Sequence, residues 1–128
     1  MSLLLDTVTF LWWVTGSPRL SEAARRALVD PLNAVFLSAV STWEITLKHS
    51  LGRLPLPEEP DRLVPRLRAD HGIEELALSE VATFQLTKIP GIHRDPFDRM
   101  LVCQAVAHGM TLVTPDESLR RYPIRTLW

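Results

Sequence analysis

Leu3-Leu4-Leu5-Asp6-Thr7-Val8-Thr9-Phe10-Leu11-Trp12-Trp13-Val14 is the stretch on which the reading of the fold turns. The three leucines form a short apolar run that reads as a strand ending at Asp6. Val8 to Val14 then reads as a helix rich in large hydrophobes. The order is strand, acid, helix, and it recurs. Ala34 to Leu37 is a second apolar run, and Ser38 leads from it into a helix that carries Glu44 and extends to about His49. Met110 to Val113 is another, running into Thr114-Pro115-Asp116-Glu117, where a further helix is expected.

The stretches between these units supply the crossovers. Ser21 caps an Ala/Arg-rich helix that ends near Asp30-Pro31. Gly52 ends the Glu44 helix, and Leu54-Pro55-Leu56-Pro57-Glu58-Glu59-Pro60 reads as a loop. A helix from Asp61 to about Ala69 follows, with Pro65 inside it, so its start is ill defined. Glu75 to Leu78 reads as a weak strand, and Ser79 caps a helix through Leu86. Asp95 as N-cap, Pro96 at the first helical position and Gly109 just past the end mark out the best-defined helix. That helix is apolar around most of its circumference from Met100 to Ala107, which places it against the sheet. Ile124 to Leu127 is a short last strand. Strands alternating with helices predict an α/β fold, a parallel sheet covered on both faces, because right-handed crossovers return each strand in the same direction.

The composition narrows the function classes. The 128 residues suit one domain, 1–128. The 46% hydrophobic and 23% charged content is that of a globular chain. Fourteen Lys plus Arg against 15 Asp plus Glu leave a net charge of −1, so a nucleic-acid partner has to be met locally rather than by overall basicity. The lone Cys103, in an apolar helical run, excludes an intrachain disulfide and reads as a small core residue. It permits a reducing compartment, and a cytoplasmic location is expected. Asp6 interrupts the N-terminal apolar stretch and no basic segment precedes it, which makes a poor signal peptide. No apolar run reaches the length of a membrane span, ~18 residues.

In a parallel sheet every strand-to-helix junction lies at the carboxyl edge, where open α/β folds bind ligands. Asp6, Glu44 and Asp116 lie at or just past such junctions, and Asp98 lies in the first turn of the central helix. Each of them alone reads better as a helix-start residue: Asp6 as an N-cap, Ser41 to Glu44 or Thr114 to Glu117 as capping boxes, and Asp95 to Asp98 nearly so. Glu44 also has the spacing of an i,i+4 pair with Lys48. Together they read differently, because carboxylates gathered at one edge repel and raise one another's pKa unless a cation neutralises them. Mg²⁺ or Mn²⁺, hard ions that take oxygen ligands, suit such a cluster. No Cys/His set with zinc spacing competes, and His93 reads as an isolated, solvated loop residue.

Four short motifs in order resemble one known family. They are Leu3-Leu4-Leu5-Asp6-Thr7, Ser41-x-Trp43-Glu44-Ile45, His93-Arg94-Asp95-Pro96-Phe97-Asp98-Arg99 followed by Ala105, and Thr111-Leu112-Val113-Thr114-x-Asp116. They are similar to those of PIN domains, and within these to the VapC-type toxins of bacterial and archaeal toxin–antitoxin pairs. The resemblance implies a three-layer α/β/α fold with a mostly parallel five-stranded sheet, strand order 3-2-1-4-5. It also implies Mg²⁺-dependent endoribonuclease activity, with a VapB-type antitoxin and homodimerisation as partners. The family's acids fall on Asp6, Glu44, Asp98 and Asp116, and a supporting hydroxyl falls on Thr114. Asp95, one helical turn before Asp98, reads as the cap of that helix with a place in the site left open. Arg94 and Arg99 are candidates for holding the RNA backbone. Val8 stands where close relatives often carry His, and Pro115 where they often carry Arg. Leu54, Leu56, Leu63 and Leu67 read either as partner contacts or as core.

Two other readings use the same residues. An aspartyl phosphotransferase would use Asp6 as nucleophile, but the usual second Asp two residues on is replaced by Val8. A protein-binding module would use the acids only as helix caps.

Overall fold

The computed structural model describes residues 1–128. Five strands, β1 (Ser2–Leu5), β2 (Ala34–Ser38), β3 (Ile73–Leu76), β4 (Thr111–Val113) and β5 (Thr126–Leu127), form one sheet in the order β3-β2-β1-β4-β5. Every pairing is parallel, so the expected order holds and "mostly parallel" becomes wholly so. The central strand explains the leucine run. Leu3, Leu4 and Leu5 are all fully buried because both faces of β1 are covered. Leu3 and Leu5 point into a core with Phe10, Leu28, Leu37, Ile45 and Val64, and Leu4 points into another with Leu101, Val102, Leu112 and Tyr122.

Six α-helices connect and cover the strands: α1 (Thr7–Val14), α2 (Glu22–Val29), α3 (Ala39–Ser50), α4 (Pro60–His71), α5 (Glu80–Phe84) and α6 (Pro96–His108). As expected, Asp95 caps α6, Pro96 opens it and Gly109 closes it, in the left-handed conformation (φ 64°) that glycine adopts without strain. Cys103 is buried in the same helix. No helix is long and apolar enough to cross a membrane.

Four local expectations are corrected. β3 lies two residues earlier than expected and includes Glu74 and Glu75, both exposed. An edge strand is paired along one side only and tolerates them. The helix expected after Asp116 is only a 3₁₀ turn, Leu119–Arg121, stopped by Pro123. α4 begins at Pro60 and continues through Pro65, whose ring faces solvent. The cap of α3 is Ser38, whose Oγ accepts from Val40 N, so Ser41 is inside the helix and forms no capping box with Glu44. Leu63 is buried in the core, and Leu54, Leu56 and Leu67 are partly buried against the first core.

Candidate metal centre

The register of the sheet sets the site. Leu5 pairs with Leu37 on one side and Val113 on the other, so the next residues, Asp6, Ser38 and Thr114, emerge side by side at the carboxyl edge. Thr114 Oγ1 donates to Asp6 Oδ2 at 2.6 Å and accepts from Asp116 N at 3.0 Å. One hydroxyl thus ties the end of β1 to the loop after β4. Asp6 Oδ1 accepts from Thr9 N at 2.9 Å, so the capping role read from the sequence is present too. Thr9 Oγ1 donates to Val113 O, fixing α1 to β4. Asp6 is only 3% exposed, and that burial, partly offset by these hydrogen bonds, pushes its pKa up.

Glu44 comes in from α3. Its Oε1 accepts from Thr7 Oγ1 at 2.7 Å, its Oε2 pairs with the Lys48 ammonium, and Ser41 Oγ lies 2.9 Å from Thr7 Oγ1. The i,i+4 pair expected as an alternative role for Glu44 therefore exists in the same side chain that borders the cluster. The hydrogen bond to Glu44 is the main reason the Lys48 pKa is raised.

Asp98 has the opposite surroundings. It sits in the first turn of α6 with its backbone N 3.5 Å from the capping Asp95 Oδ1, and its carboxylate accepts no hydrogen bond within the chain. Burial first, then the charges of Asp95, Glu44 and Asp6, raise its pKa from 3.8 to about 7, with His93 opposing. Asp95 itself spends Oδ1 on Phe97 N at 2.8 Å, as a cap does.

The isolated reading of His93 is overturned. Its Nε2 lies 3.0 Å from Asp116 Oδ2 and 3.6 Å from Asp98 Oδ2, and the three residues place possible ligand atoms within 4.8 Å of one another. Its loop is held there because His93 N donates to the hydroxyl of buried Tyr122 at 2.8 Å. The sequence signal was its place two residues before Asp95. What brings it to Asp116, 23 positions away, is packing. Thr7, Thr9 and Ser41 were also missed as supports. Their hydroxyls look like ordinary helix-start chemistry until β1, β4 and α3 are brought together. Of the two arginines, Arg94 is exposed, and Arg99 has its Nε buried without a hydrogen-bond partner.

The oxygen-rich donor set, with one carboxylate left unsatisfied and raised to about 7, suits a hard divalent cation. Fold and cluster together define the class: an α/β protein that gathers carboxylates over the carboxyl edge of a parallel sheet. Residues 3–124 match the PIN domain. The protein named Ribonuclease VapC22 of Mycobacterium tuberculosis is 29% identical over 125 residues, spanning 94% of this chain and 92% of that protein. Ribonuclease VapC16 of the same organism is 34% identical over 119 residues, spanning 86% of this chain and 77% of its own length. Among solved structures, the crystal structure of VapBC2 from Rickettsia felis bound to a DNA fragment from their promoter contains a chain of the same fold. Its TM-score is 0.75 at 17% identity, with 98% of this chain and 97% of that one covered. The chain belongs to the PIN domain family.

Proposed function

We propose that this protein is a divalent-metal-dependent endoribonuclease, acting as the toxin of a type II toxin–antitoxin pair in the cytoplasm, with residues 1–128 as one domain. The observation that carries the reading is Asp98, a carboxylate raised to about 7 among other acids with no donor of its own. The relatives named ribonucleases supply the substrate class. Asp6, Asp98 and Asp116 would hold the ion and Glu44 would border it, with Mg²⁺ favoured and Mn²⁺ able to replace it. A bound ion of this kind supplies Lewis acidity toward the scissile phosphate, a more acidic water and charge stabilisation at the leaving oxygen. The chain's own part is orientation. Thr9 N–H and the Thr114 hydroxyl fix the Asp6 carboxylate, Thr7 and Lys48 fix Glu44, and Ser118 N–H holds Asp116 Oδ1 at 2.8 Å. Arg94 and Arg99 are assigned to the RNA backbone. Arg99 has its Nε buried, so only its terminal guanidinium nitrogens would reach a phosphate.

Asp6, with both oxygens engaged and 3% exposure, is badly placed to attack phosphorus, which weighs against the phosphotransferase reading. A VapB-type antitoxin and a second copy of the chain are the proposed partners. Support comes from the VapBC complex of Rickettsia felis and from exposed Trp43 and Leu47 on α3 and Leu51 at its C-cap, spaced i, i+4 and i+8. The deciding experiment incubates purified protein with single-stranded RNA in Mg²⁺, Mn²⁺ or EDTA and maps the ends. Cleavage with an ion, leaving 5′-phosphate and 3′-hydroxyl ends and abolished by Asp98→Asn, supports the reading. Ion-independent cleavage, or none, overturns it.

A further inference from the structure

The orientation of the His93 ring is fixed by its neighbours. Nδ1 lies 3.1 Å from Asp95 N, and a backbone amide can only donate, so Nδ1 carries the lone pair. The ring proton is then on Nε2, the atom that faces Asp116 and Asp98. A nitrogen that ligates a metal must present a lone pair instead. Moving the proton to Nδ1 would set it against the Asp95 N–H, donor to donor. His93 therefore sits among potential ligands without being able to act as one in this arrangement. Its donor is flanked by two carboxylates from separate parts of the fold, Asp98 in the first turn of α6 and Asp116 in the loop after β4.

We propose that His93 is a positioning residue whose Nε2–H tethers Asp116 beside Asp98, holding the two acids converged before a divalent ion arrives. The tether is anchored twice: the Tyr122 hydroxyl holds the backbone of His93 in place, and Asp95 N–H at Nδ1 is lost if the ring swings. This inference rests on the proposed metal-dependent reading. Its test is Mn²⁺ affinity by titration calorimetry, together with the electron spin-echo modulation of bound Mn²⁺. His93→Ala should weaken Mn²⁺ binding by about 10–100-fold, the usual cost of losing a partner that orients a ligand. His93→Gln, whose amide can present an N–H near the place of Nε2, should recover most of that loss. His93→Asn, too short to reach Asp116, should not. The spin-echo signal of the wild-type protein should show no directly coordinated nitrogen. A coordinated nitrogen, equal affinity in His93→Ala, or failure of His93→Gln to outperform His93→Asn would each overturn the tether while leaving the metal-dependent reading standing. Absence of Mn²⁺ binding by the wild-type protein would overturn both.

Discussion

The two sides of the acid cluster are built on opposite principles. On the α3 side, Glu44 has a hydroxyl on one oxygen and an ammonium on the other, so its charge is balanced within the chain. On the α6 and β4 side, Asp98 accepts no hydrogen bond, and the His93 imidazole N–H, 3.6 Å from it, is given to Asp116 at 3.0 Å. A carboxylate that is buried, crowded and unpaired costs stability when ionised. Under the proposed reading, the α6 side is where an ion would bind, and the α3 side serves as a fixed wall.

The largest expected effect is on catalysis. Asp98→Asn and Asp116→Asn should each lower RNA cleavage by about 10²–10³-fold or more, with the fold kept, as measured by initial rates and circular dichroism. Unchanged rates would place the chemistry elsewhere. A sharper contrast lies in the stability of the metal-free protein, where the two sides should respond with opposite signs. Glu44→Gln disrupts satisfied bonds to Thr7 and Lys48 and should destabilise by about 1–3 kcal/mol. Asp98→Asn relieves an unpaired acid and should raise the melting temperature, by roughly 4 °C for each kcal/mol gained. Shifts of the same sign would break the comparison.

The pH dependence follows from the same carboxylate. Between its ordinary value of 3.8 and about 7, Asp98 keeps in the folded protein a proton that the unfolded chain has released. Metal-free stability contributed by this group therefore falls as pH rises through that window, and Asp98→Asn should flatten the fall in a melting series from pH 4 to 8. Mg²⁺ should restore most stability at the upper end, where the acid is free to bind it. The smallest effect is expected at Lys48, whose side chain is 46% exposed. Lys48→Met should destabilise by about 1 kcal/mol or less, and the loss should shrink when Mg²⁺ is added.

How far the sequence revealed this depended on the range over which each feature is decided. Strand, acid and helix in succession are local, so β1, β2, β4 and the positions of Asp6 and Asp98 could be read directly. Asp95, Pro96 and Gly109 bounded α6 because capping chemistry lies within a few residues. The edge strand β3 could not be placed to the residue, since Glu74 and Glu75 break the apolar pattern and only pairing with β2 defines it. The turn after Asp116 looked helical because Thr114 to Glu117 has the spacing of a capping box, while Pro123 limits it from further along the chain. His93 was dismissed for the same reason that β3 was misplaced. Its partners are set by the packing of Tyr122 and the loop after β4, which no spacing in the sequence encodes.

The pairing of Leu3 with Thr111 has a temporal side. The first strand leaves the ribosome with its acid, yet the neighbour that completes the centre of the sheet is synthesised more than a hundred residues later. Thr114, which orients Asp6, and Asp116 follow later still. Any nascent or prematurely terminated chain ending before that point lacks both the hydroxyl and one of the four acids. The order in which the strands are laid down thus leaves unfinished copies without a complete acid cluster.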